Sequence, residues 1–370
     1  MPFFRFATLV FLMLLPLRDV RADPLAIEAI FTNGMATRPD NQLVDHLRHL
    51  VQSSQPGSDI KFSVFLFYYE HPDEPLLLDL LAAAARGVNV QILIDLPESE
   101  NSDNLKLGEQ FRIDFGSRLK KAADKHSISW IERSPSYKNH SKIFLFSHAA
   151  NQDNWVVIGS ENLTDREREK HQASIVLHDA VIYQSYLKYW QQIRDGSFTG
   201  FWMDEHNPQF ISYFFPQPAY GDDAIYQLLD RILLMAKGMK SPRLKLVMAR
   251  WNRERFALAV KLVQLAEAGI AIEIVTRENP AIVDPLILST LEKRPNIRLF
   301  TNDVSQINIH SKYMLFENET DNDKIVWLGS HNFTGMALRG NYETWTEIKN
   351  PELYRQFKEN FDYLMKISTP

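Results

Sequence analysis

Histidine, lysine, serine and asparagine occur in this 370-residue chain as two sets with one spacing. In each set a His-Ser-Lys triplet precedes a Gly-Ser-x-Asn motif, and every matching residue lies 170 positions further along in the second set. At roughly one in twenty per specified position, chance does not produce such a match. The sets are His140, Lys142, Ser160 and Asn162, and then His310, Lys312, Ser330 and Asn332.

These side chains suit the cleavage of a phosphodiester. Lysine and asparagine can bind its non-bridging oxygens, and the two serines can donate further hydrogen bonds. Two histidines, with an ordinary pKa of about 6.5, can act as nucleophile and as proton donor on opposite sides of phosphorus. A lysine beside each histidine makes a poor metal-ligand set and the chain has no cysteine, so we expect no metal and no other cofactor.

The elements that must position these residues are repeated as well. Residues 61–67 and 87–94 are typical of strands on either side of an apolar-periodic helix, and residues 245–275 repeat this arrangement. Gly87 and Gly269 stand where the helices should end. The pattern predicts parallel βαβ units in two α/β halves. After each His-Ser-Lys triplet, two apolar runs flank a polar turn, which predicts a hairpin that brings the triplet near the Ser/Asn loop.

The doubled motifs resemble those of the phospholipase D superfamily, and the resemblance extends over about residues 27–365. It implies an α/β fold of two pseudo-twofold-related sandwich halves that share one active site at their interface. It also implies cleavage through a phosphohistidine. Because one chain holds both motif copies, we expect one complete site in a monomer.

The sequence departs from that family in one respect. The aspartate that usually follows the lysine by five residues is replaced by Ser147 and Glu317. In the family a supporting acid follows the asparagine by about ten residues; Glu343 matches it in the second half, whereas the first half has Gln172. This Gln/Glu pair without the aspartate is similar to the tyrosyl-DNA phosphodiesterase branch, which is active.

The resemblance implies that the supporting residues cross between the halves, with Glu343 on His140 and Gln172 on His310. A carboxylate partner makes an imidazole more basic and more nucleophilic, whereas an amide orients the ring without adding charge. We therefore predict that His140 is the nucleophile. His310 is then the general acid for the leaving alcohol and the general base for water.

The first 22 residues are typical of a secretory signal peptide, with a basic start, an apolar run over residues 6–17 and a small-residue cleavage site at Ala22. A membrane span needs about twenty apolar residues, so a permanent anchor is disfavoured. We expect a periplasmic or secreted protein. Without residues 1–22 the chain has 38 Lys and Arg against 45 Asp and Glu, and this acidic balance disfavours broad nucleic-acid binding.

Four further segments leave alternatives open. Two basic clusters are either solvated faces or surfaces that attract anionic lipid or a nucleic-acid backbone. The aromatic stretch 186–220 is either a packed bridge between the halves or a wall of the substrate cleft. Residues 166–170, with alternating charges, are expected to form an exposed loop near the site rather than to recognise a substrate specifically. The basic clusters are Arg118, Lys120, Lys121, Lys125, Arg133 and Lys138, and then Lys237, Lys240, Arg243, Lys245, Arg250, Arg253 and Arg255.

The expected division is 23–195 for the first half, 196–220 for the bridge and 221–370 for the second half.

Three functions from different classes fit these features. A phospholipid phosphodiesterase or transphosphatidylase is favoured by export, the acidic charge and the aromatic stretch, and it would act at a membrane surface. A nuclease or other nucleic-acid phosphodiesterase is supported by the Gln/Glu pair and the basic clusters. A non-catalytic phosphate-binding module would explain the missing aspartates, but two intact motif sets argue against it. We therefore predict a phospholipid substrate, with nucleic acid as the alternative.

Overall fold

The computed structural model describes residues 26–35, 37–68, 74–95, 128–131, 136–303, 305, 307–318 and 324–369. These residues form two large β-sheets with helices between and outside them. The strands are β1 (Ile27–Asn33), β2 (Asp59–Val64), β3 (Phe67–Tyr68), β4 (Asn89–Ile94), β5 (Ile128–Ile131), β6 (Lys138–Asn139), β7 (Lys142–Ala149), β8 (Gln152–Gly159), β9 (Leu163–Thr164), β10 (Lys170–His178), β11 (Trp202–Asn207), β12 (Phe210–Phe215), β13 (Arg243–Met248), β14 (Ala271–Arg277), β15 (Ile297–Asn302), β16 (Asn308–Ile309), β17 (Lys312–Glu317), β18 (Ile325–Gly329) and β19 (Asn341–Lys349). The helices are α1 (Gln42–Ser53), α2 (Pro75–Ala85), α3 (Ala180–Asp195), α4 (Ala224–Met235), α5 (Phe256–Glu267), α6 (Pro285–Leu291), α7 (Gly335–Arg339) and α8 (Pro351–Lys366), and Asp165–Glu169 and Arg253–Arg255 form 3₁₀ turns.

The two sheets have the same topology. The first sheet runs β1-β10-β8-β7-β2-β4-β5, and the second runs β12-β19-β18-β17-β13-β14-β15 with β11 added at its edge. The predicted βαβ units are present, because β2 and β4 are parallel, as are β13 and β14. The predicted hairpins are present too, as the antiparallel pairs β7–β8 and β17–β18.

Two glycines end the helices of these βαβ units. Gly87 has a φ of 91° just after α2, and Gly269 has a φ of 96° just after α5. A residue with a side chain rarely adopts this left-handed conformation, whereas glycine does so at little cost. The glycines therefore let the chain leave each helix and enter the next parallel strand, as the sequence predicts.

The aromatic stretch contributes to the second sheet. Residues 202–215, which the sequence assigned to a bridge, form β11 and β12, and β12 pairs with β19 as β1 pairs with β10 in the first half. Phe210 and Phe214 are fully buried, and Trp202 stacks on Phe214 with ring centroids 4.0 Å apart. Of the two predictions for the aromatic stretch, the packed one is therefore right for residues 202–215, which do not form a cleft wall.

A shared core holds the two halves together. Helices α3 and α8 contribute to one hydrophobic cluster that contains residues of both sheets, while α1 and α2 pack with the first sheet and α4, α5 and α6 with the second. Helix α3 also makes polar contacts with both sheets: Trp190 Nε1 donates to Phe62 O at 2.9 Å, and the Tyr186 hydroxyl lies 2.7 Å from Thr346 Oγ1. The relative position of the two motif sets is therefore fixed by buried contacts. Within the described ranges, no helix is both long enough and apolar enough to cross a membrane.

Candidate active site

Two short strands carry the histidines across the boundary between the halves. β6 leads into His140 and pairs in parallel with the start of β19 in the second half, while β16 leads into His310 and pairs with the start of β10 in the first. The backbone continues this pairing, because His140 N donates to Tyr342 O at 3.0 Å and His310 N donates to His171 O at 2.9 Å. Each histidine is thereby placed beside the residue that follows on the partner strand, which is Glu343 or Gln172.

The two lysines begin the strands that follow the histidines. Lys142 Nζ donates to His140 O at 2.6 Å, and Lys312 Nζ donates to His310 O. Both lysines are buried, and neither forms an ion pair with any carboxylate of the residues that the structure describes. An ammonium group has three donors, so each lysine keeps donors and charge for an anion in the site.

The motif glycines end β8 and β18 against the neighbouring strands. A Cβ atom on Gly159 would lie 2.6 Å from Ala173 O, and one on Gly329 would lie 2.1 Å from Thr344 O. These distances exclude any side chain unless the backbone moves. Glycine therefore allows each Ser/Asn loop to turn close to β10 or β19, the strands that carry Gln172 and Glu343.

Glu343 supports His140 across the boundary, as the family resemblance implies. His140 Nδ1 lies 2.8 Å from Glu343 Oε1 and 2.9 Å from Oε2. Since a carboxylate only accepts hydrogen bonds, Nδ1 carries the proton and Nε2 of neutral His140 has a free electron pair for phosphorus. Although burial raises the pKa of Glu343, His140 and Lys142 together hold it below its ordinary value, so this partner is a carboxylate.

His310 has two supporting residues where the sequence predicted one. Its Nδ1 lies 3.0 Å from Gln172 Oε1, the predicted partner, and 3.1 Å from Glu167 Oε2. Although burial raises the pKa of Glu167, His310 and Lys170 lower it well below its usual range. A carboxylate therefore faces each histidine. The sequence predicted a charged support for His140 and a neutral one for His310, but the two supports differ only in how far their charge is neutralised.

The prediction for residues 166–170 was wrong for Glu167. This segment was expected in an exposed charged loop, but Glu167 is 3% exposed and only Arg166 is fully exposed. Gln172 Nε2 and Lys170 Nζ both donate to the Glu167 carboxylate, the latter at 2.6 Å. Alternating charges in a sequence are typical of a solvated loop, and no local signal shows that one of them faces a histidine 143 residues away.

The two motif serines contact the supporting residues. Ser160 Oγ donates to Gln172 Oε1 at 2.8 Å, and Ser330 Oγ donates to Glu343 Oε2 at 2.5 Å. A serine has one hydroxyl proton, so these contacts leave none for the phosphate. This differs from the expectation that Ser160 and Ser330 donate to the substrate; their observed contacts orient the supports of the histidines.

The motif asparagines lie beside the lysines' strands and are almost buried. Asn162 Oδ1 accepts a hydrogen bond from Leu66 N at 3.4 Å, which leaves its Nδ2 group for a phosphate oxygen. The Asn332 side chain makes no hydrogen bond among the described residues and is 9% exposed, so its Nδ2 group can also donate to a phosphate oxygen. The two amides keep hydrogen-bonding capacity that a bound phosphodiester can use.

The residues that replace the family's aspartate lie away from the histidines. Ser147 Oγ accepts a hydrogen bond from Asp59 N at 2.8 Å, at the end of β7 remote from Lys142. Glu317 ends β17 and lies 4.0 Å from Arg243. The replacements therefore leave the groups around the phosphate position unchanged.

Burial sets the protonation of the four central groups. It lowers the pKa of His140 to about 4 and that of His310 well below its ordinary value, although Glu343 and Glu167 oppose the shift. It also lowers the pKa of Lys142 to about 8, while burial and the charge of Lys142 lower the pKa of Lys312 well below its ordinary value. Near pH 7 both histidines are therefore neutral, and Lys142 is a cation that has no carboxylate at contact distance in the described part of the chain.

Phe65 is a site residue that the sequence did not indicate. Its ring centroid lies 5.3 Å from that of His140, and Lys138 Nζ and Lys142 Nζ lie 4.5 Å and 5.8 Å from its centre. It is half-buried and follows β2 directly. A phenylalanine after an apolar strand gives no signal of a site, because its position beside the histidine depends on the pairing of β2 with β7.

The basic clusters are only partly accessible to an anionic partner. Of the first cluster, Lys138 alone is among the described residues, and it is exposed. In the second cluster Lys245 pairs with Glu273, and two arginines form ion pairs with aspartates. Most of the described second cluster therefore stabilises the protein itself.

The comparisons with known proteins identify the family of the chain. The family described as "Cardiolipin synthase, PLD-like domain" matches residues 47–194 and 237–365, one match for each half. The chain belongs to the phospholipase D superfamily, and the fold predicted from that resemblance is confirmed. It is a phosphodiesterase of this superfamily. None of the curated protein sequences is similar enough to this chain to count as a match.

Solved structures share the fold at low sequence identity. Phosphatidylserine synthase of Haemophilus influenzae Rd KW20 is 11% identical, with a TM-score of 0.65 over 92% of this chain and 86% of that one. Polyphosphate kinase of Porphyromonas gingivalis is 17% identical, with a TM-score of 0.60; the alignment covers 92% of this chain but only 50% of the kinase. Yeast tyrosyl-DNA phosphodiesterase is 13% identical, with a TM-score of 0.50 over 87% and 90% of the two chains. These likenesses concern the fold alone.

The pKa shifts predict a pH profile for a diester with a good leaving group, such as bis(p-nitrophenyl) phosphate. As the pH falls through about 4, His140 becomes protonated and loses its nucleophilic electron pair, so kcat/KM should fall. As the pH rises through about 8, Lys142 loses its charge and kcat/KM should fall again. Steady-state rates from pH 3.5 to 10 test both limbs.

Lys142→Arg is the control for the basic limb. Arginine stays charged throughout this range, so the part of the basic limb that Lys142 causes should disappear in this variant, whereas the titration of Lys312 remains. A limb that stays near pH 8 in Lys142→Arg would mean that a different group titrates there.

Proposed function

We propose that this protein is an exported phospholipase D-like enzyme that cleaves the phosphodiester of phospholipids. The observation that carries the lipid assignment is Phe65, whose ring centroid lies 5.3 Å from that of His140. An apolar ring there suits the glycerol and acyl part of a lipid better than a strongly charged polymer. Two exposed apolar side chains, Met336 and Tyr220, at 55% and 97% exposure, add to an apolar surface near α7.

Helix α7 borders the site. Its last turn leads to Gly340, whose carbonyl accepts a hydrogen bond from Lys138 N at 3.2 Å, two residues before His140. Arg339 follows Met336 on this helix and lies 5.8 Å from the centre of the Tyr220 ring. A lipid that reaches His140 could therefore contact Met336 and Tyr220 with its apolar part.

The charges favour lipid over nucleic acid. A nucleic-acid backbone needs a continuous row of free cations, but the described second basic cluster is mostly ion-paired. The net charge of the whole chain is −5, which also disfavours a polyanion.

In the proposed first step, Nε2 of His140 attacks phosphorus on the side opposite the headgroup. The bond between phosphorus and the headgroup oxygen breaks, and His310 gives its Nε2 proton to that oxygen. The charge of the bound diester favours the protonated form of His310, which burial otherwise disfavours. Lys142, Lys312 and the two asparagine amides stabilise the negative phosphoryl oxygens.

In the second step, water replaces the headgroup. His310 takes a proton from water, the new oxygen–phosphorus bond forms, and the bond from phosphorus to His140 breaks to release phosphatidic acid. An alcohol in place of water would give transphosphatidylation by the same step.

His140 keeps the role of nucleophile although both histidines face a carboxylate. Glu343 contacts His140 with both oxygens, and no lysine forms an ion pair with it among the described residues. Glu167, in contrast, shares its charge with Lys170 at 2.6 Å. The less neutralised carboxylate makes the more basic imidazole, so His140 is the stronger nucleophile.

We expect His310→Ala to accumulate a phosphohistidine at His140 with a p-nitrophenyl diester. A good leaving group needs little protonation, whereas the attacking water still needs a base. Loss of His310 therefore slows hydrolysis of the adduct more than its formation, and the adduct accumulates. Alkaline quenching and peptide mass spectrometry should locate the phosphoryl group. In both His140→Ala and His310→Ala, steady-state turnover of a lipid should fall by about 10²- to 10⁴-fold. An adduct on His310 in His140→Ala, with none on His140 in His310→Ala, would reverse the two roles.

We expect purified protein from residue 23 onward to release phosphatidic acid from mixed phospholipid vesicles and to leave plasmid DNA intact. The rate should not change with EDTA, because lysines and asparagines replace a metal at the phosphoryl oxygens. Thin-layer chromatography and gel electrophoresis of parallel reactions measure the two outcomes. Plasmid cleavage without lipid cleavage would reject the lipid proposal, and loss of activity with EDTA would reject the metal-free chemistry.

We expect the full chain, expressed in a bacterium, to appear in the periplasmic fraction with Asp23 as its first residue. The apolar run and the small residue at Ala22 suit a signal peptidase, and residues 1–25 lie outside the described part of the chain. Intact-mass spectrometry identifies the new terminus, and a chain without residues 2–22 is the control that should stay in the cytoplasm. A periplasmic protein of full mass would indicate an uncleaved anchor instead.

A further inference from the structure

Two arginines lie at the edge of the second sheet, beside the active site. Arg277 ends β14, and Arg250 follows β13 by two residues. The strands are parallel with Met248 opposite Thr276, and Met248 is also opposite Lys312, so both arginines come from the sheet edge that carries Lys312. In open α/β sheets, ligands bind outside the carboxyl ends of such parallel strands.

Neither arginine has a partner within the described part of the chain. Arg250 and Arg277 form no ion pair and no side-chain hydrogen bond there. Nearby arginines do: Arg253 Nε lies 3.1 Å from Asp284, and Arg255 Nη1 lies 2.9 Å from Asp223. The two exceptions therefore keep all their side-chain donors available for a ligand.

Arg277 is half-buried, whereas Arg250 is exposed. Burial lowers the pKa of Arg277, the charge of Arg250 lowers it further, and Glu167 opposes both. Both Arg250 and Glu167, the support of His310, are therefore within electrostatic range of Arg277. Two neighbouring guanidinium groups remain charged and repel each other, and an anion between them would remove that repulsion.

This pair of cations exists in one half only. Leu66 O accepts a hydrogen bond from Leu163 N at 2.9 Å, and Arg250 O accepts one from Phe333 N at 3.0 Å, so Arg250 takes the place of Leu66. By strand register, Asp95 takes the place of Arg277. One side of the site is therefore apolar and acidic, apart from Lys138 above Phe65, and the other side is cationic.

We propose that Arg250 and Arg277 bind a second phosphate group, carried by the headgroup of the phospholipid substrate. This inference rests on the proposed function. In an in-line reaction the headgroup departs opposite His140, toward His310, and Arg277 lies on that side because it ends β14, which contacts β16, the strand that leads into His310. The apolar part of the lipid lies toward Phe65 and Leu66. The planar guanidinium groups can each donate two hydrogen bonds to a phosphate monoester. That monoester stays intact on the headgroup while the diester is cleaved.

The experiment compares two short-chain monomeric lipids: dihexanoyl phosphatidylglycerol and the same lipid with a phosphate on its terminal glycerol hydroxyl. Phosphorus NMR of the products gives kcat/KM for each. The second phosphate should raise kcat/KM by about 10- to 100-fold in the unmodified protein, as one or two charge-assisted hydrogen bonds would. R250Q and R277K should each lower this ratio by about tenfold, since lysine keeps the charge of Arg277 but not its planar fork.

R253Q is the matched control, because Arg253 is an exposed arginine three residues away that is paired with Asp284. Its ratio should equal that of the unmodified protein. The subsite proposal would be wrong if the two lipids had equal kcat/KM values in the unmodified protein. It would also be wrong if R250Q and R277K lowered kcat/KM equally for both lipids.

A binding measurement separates the subsite from the proposed activity. Calorimetric titration should show tighter binding of glycerol 1,3-bisphosphate than of glycerol 1-phosphate, with the difference lost in R250Q. If neither lipid is cleaved but this difference is present, the proposed function fails and the anion subsite stands. If pTpT is cleaved faster than TpT while both lipids stay intact, the lipid headgroup is rejected and the second phosphate belongs to a nucleic acid.

Discussion

The active site depends on two short parallel strand pairings that cross between the halves. β6 pairs with β19 and β16 pairs with β10, and each two-residue strand ends directly before a catalytic histidine. The histidine of one half is therefore in register with the support strand of the other, and Glu343 and Gln172 contact His140 and His310. A displacement of one strand by one residue would turn the supporting side chain to the opposite face of the sheet.

The site combines buried cations with buried carboxylates in an order that suits an anionic ligand. The carboxylates contact the histidines, while Lys142 and Lys312, among the residues that the structure describes, donate hydrogen bonds only to backbone carbonyls. Burial of an ammonium group without a counter-ion is unfavourable, so a bound phosphodiester stabilises the charged lysines as much as the lysines stabilise the diester. The same burial keeps the histidines neutral, which leaves a nucleophilic nitrogen available.

The two halves share their central residues but differ in the residues around them. Phe65 corresponds to Ala249 in strand register, and Leu66 corresponds to Arg250. Glu167 is present in the first half only. A symmetric set of His, Lys and Asn could accept a phosphodiester in either direction, whereas unlike surroundings favour one direction. These differences make the two sides of the site chemically unlike.

The sequence by itself determined which side chains form the repeated motif sets, because two sets of specific residue types at an offset of 170 identify them without any structure. It also determined the βαβ units, because helical and strand periodicity are local properties. Only the tertiary structure decided the roles of Glu167, Phe65 and the motif serines, and the place of β12 beside β19. These features arise from contacts between residues far apart in the chain: Glu167 reaches His310 across the boundary of the halves, and local periodicity does not encode such contacts. The physical reason is that the pairing of β16 with β10, not the charge pattern around Glu167, brings this carboxylate to the imidazole.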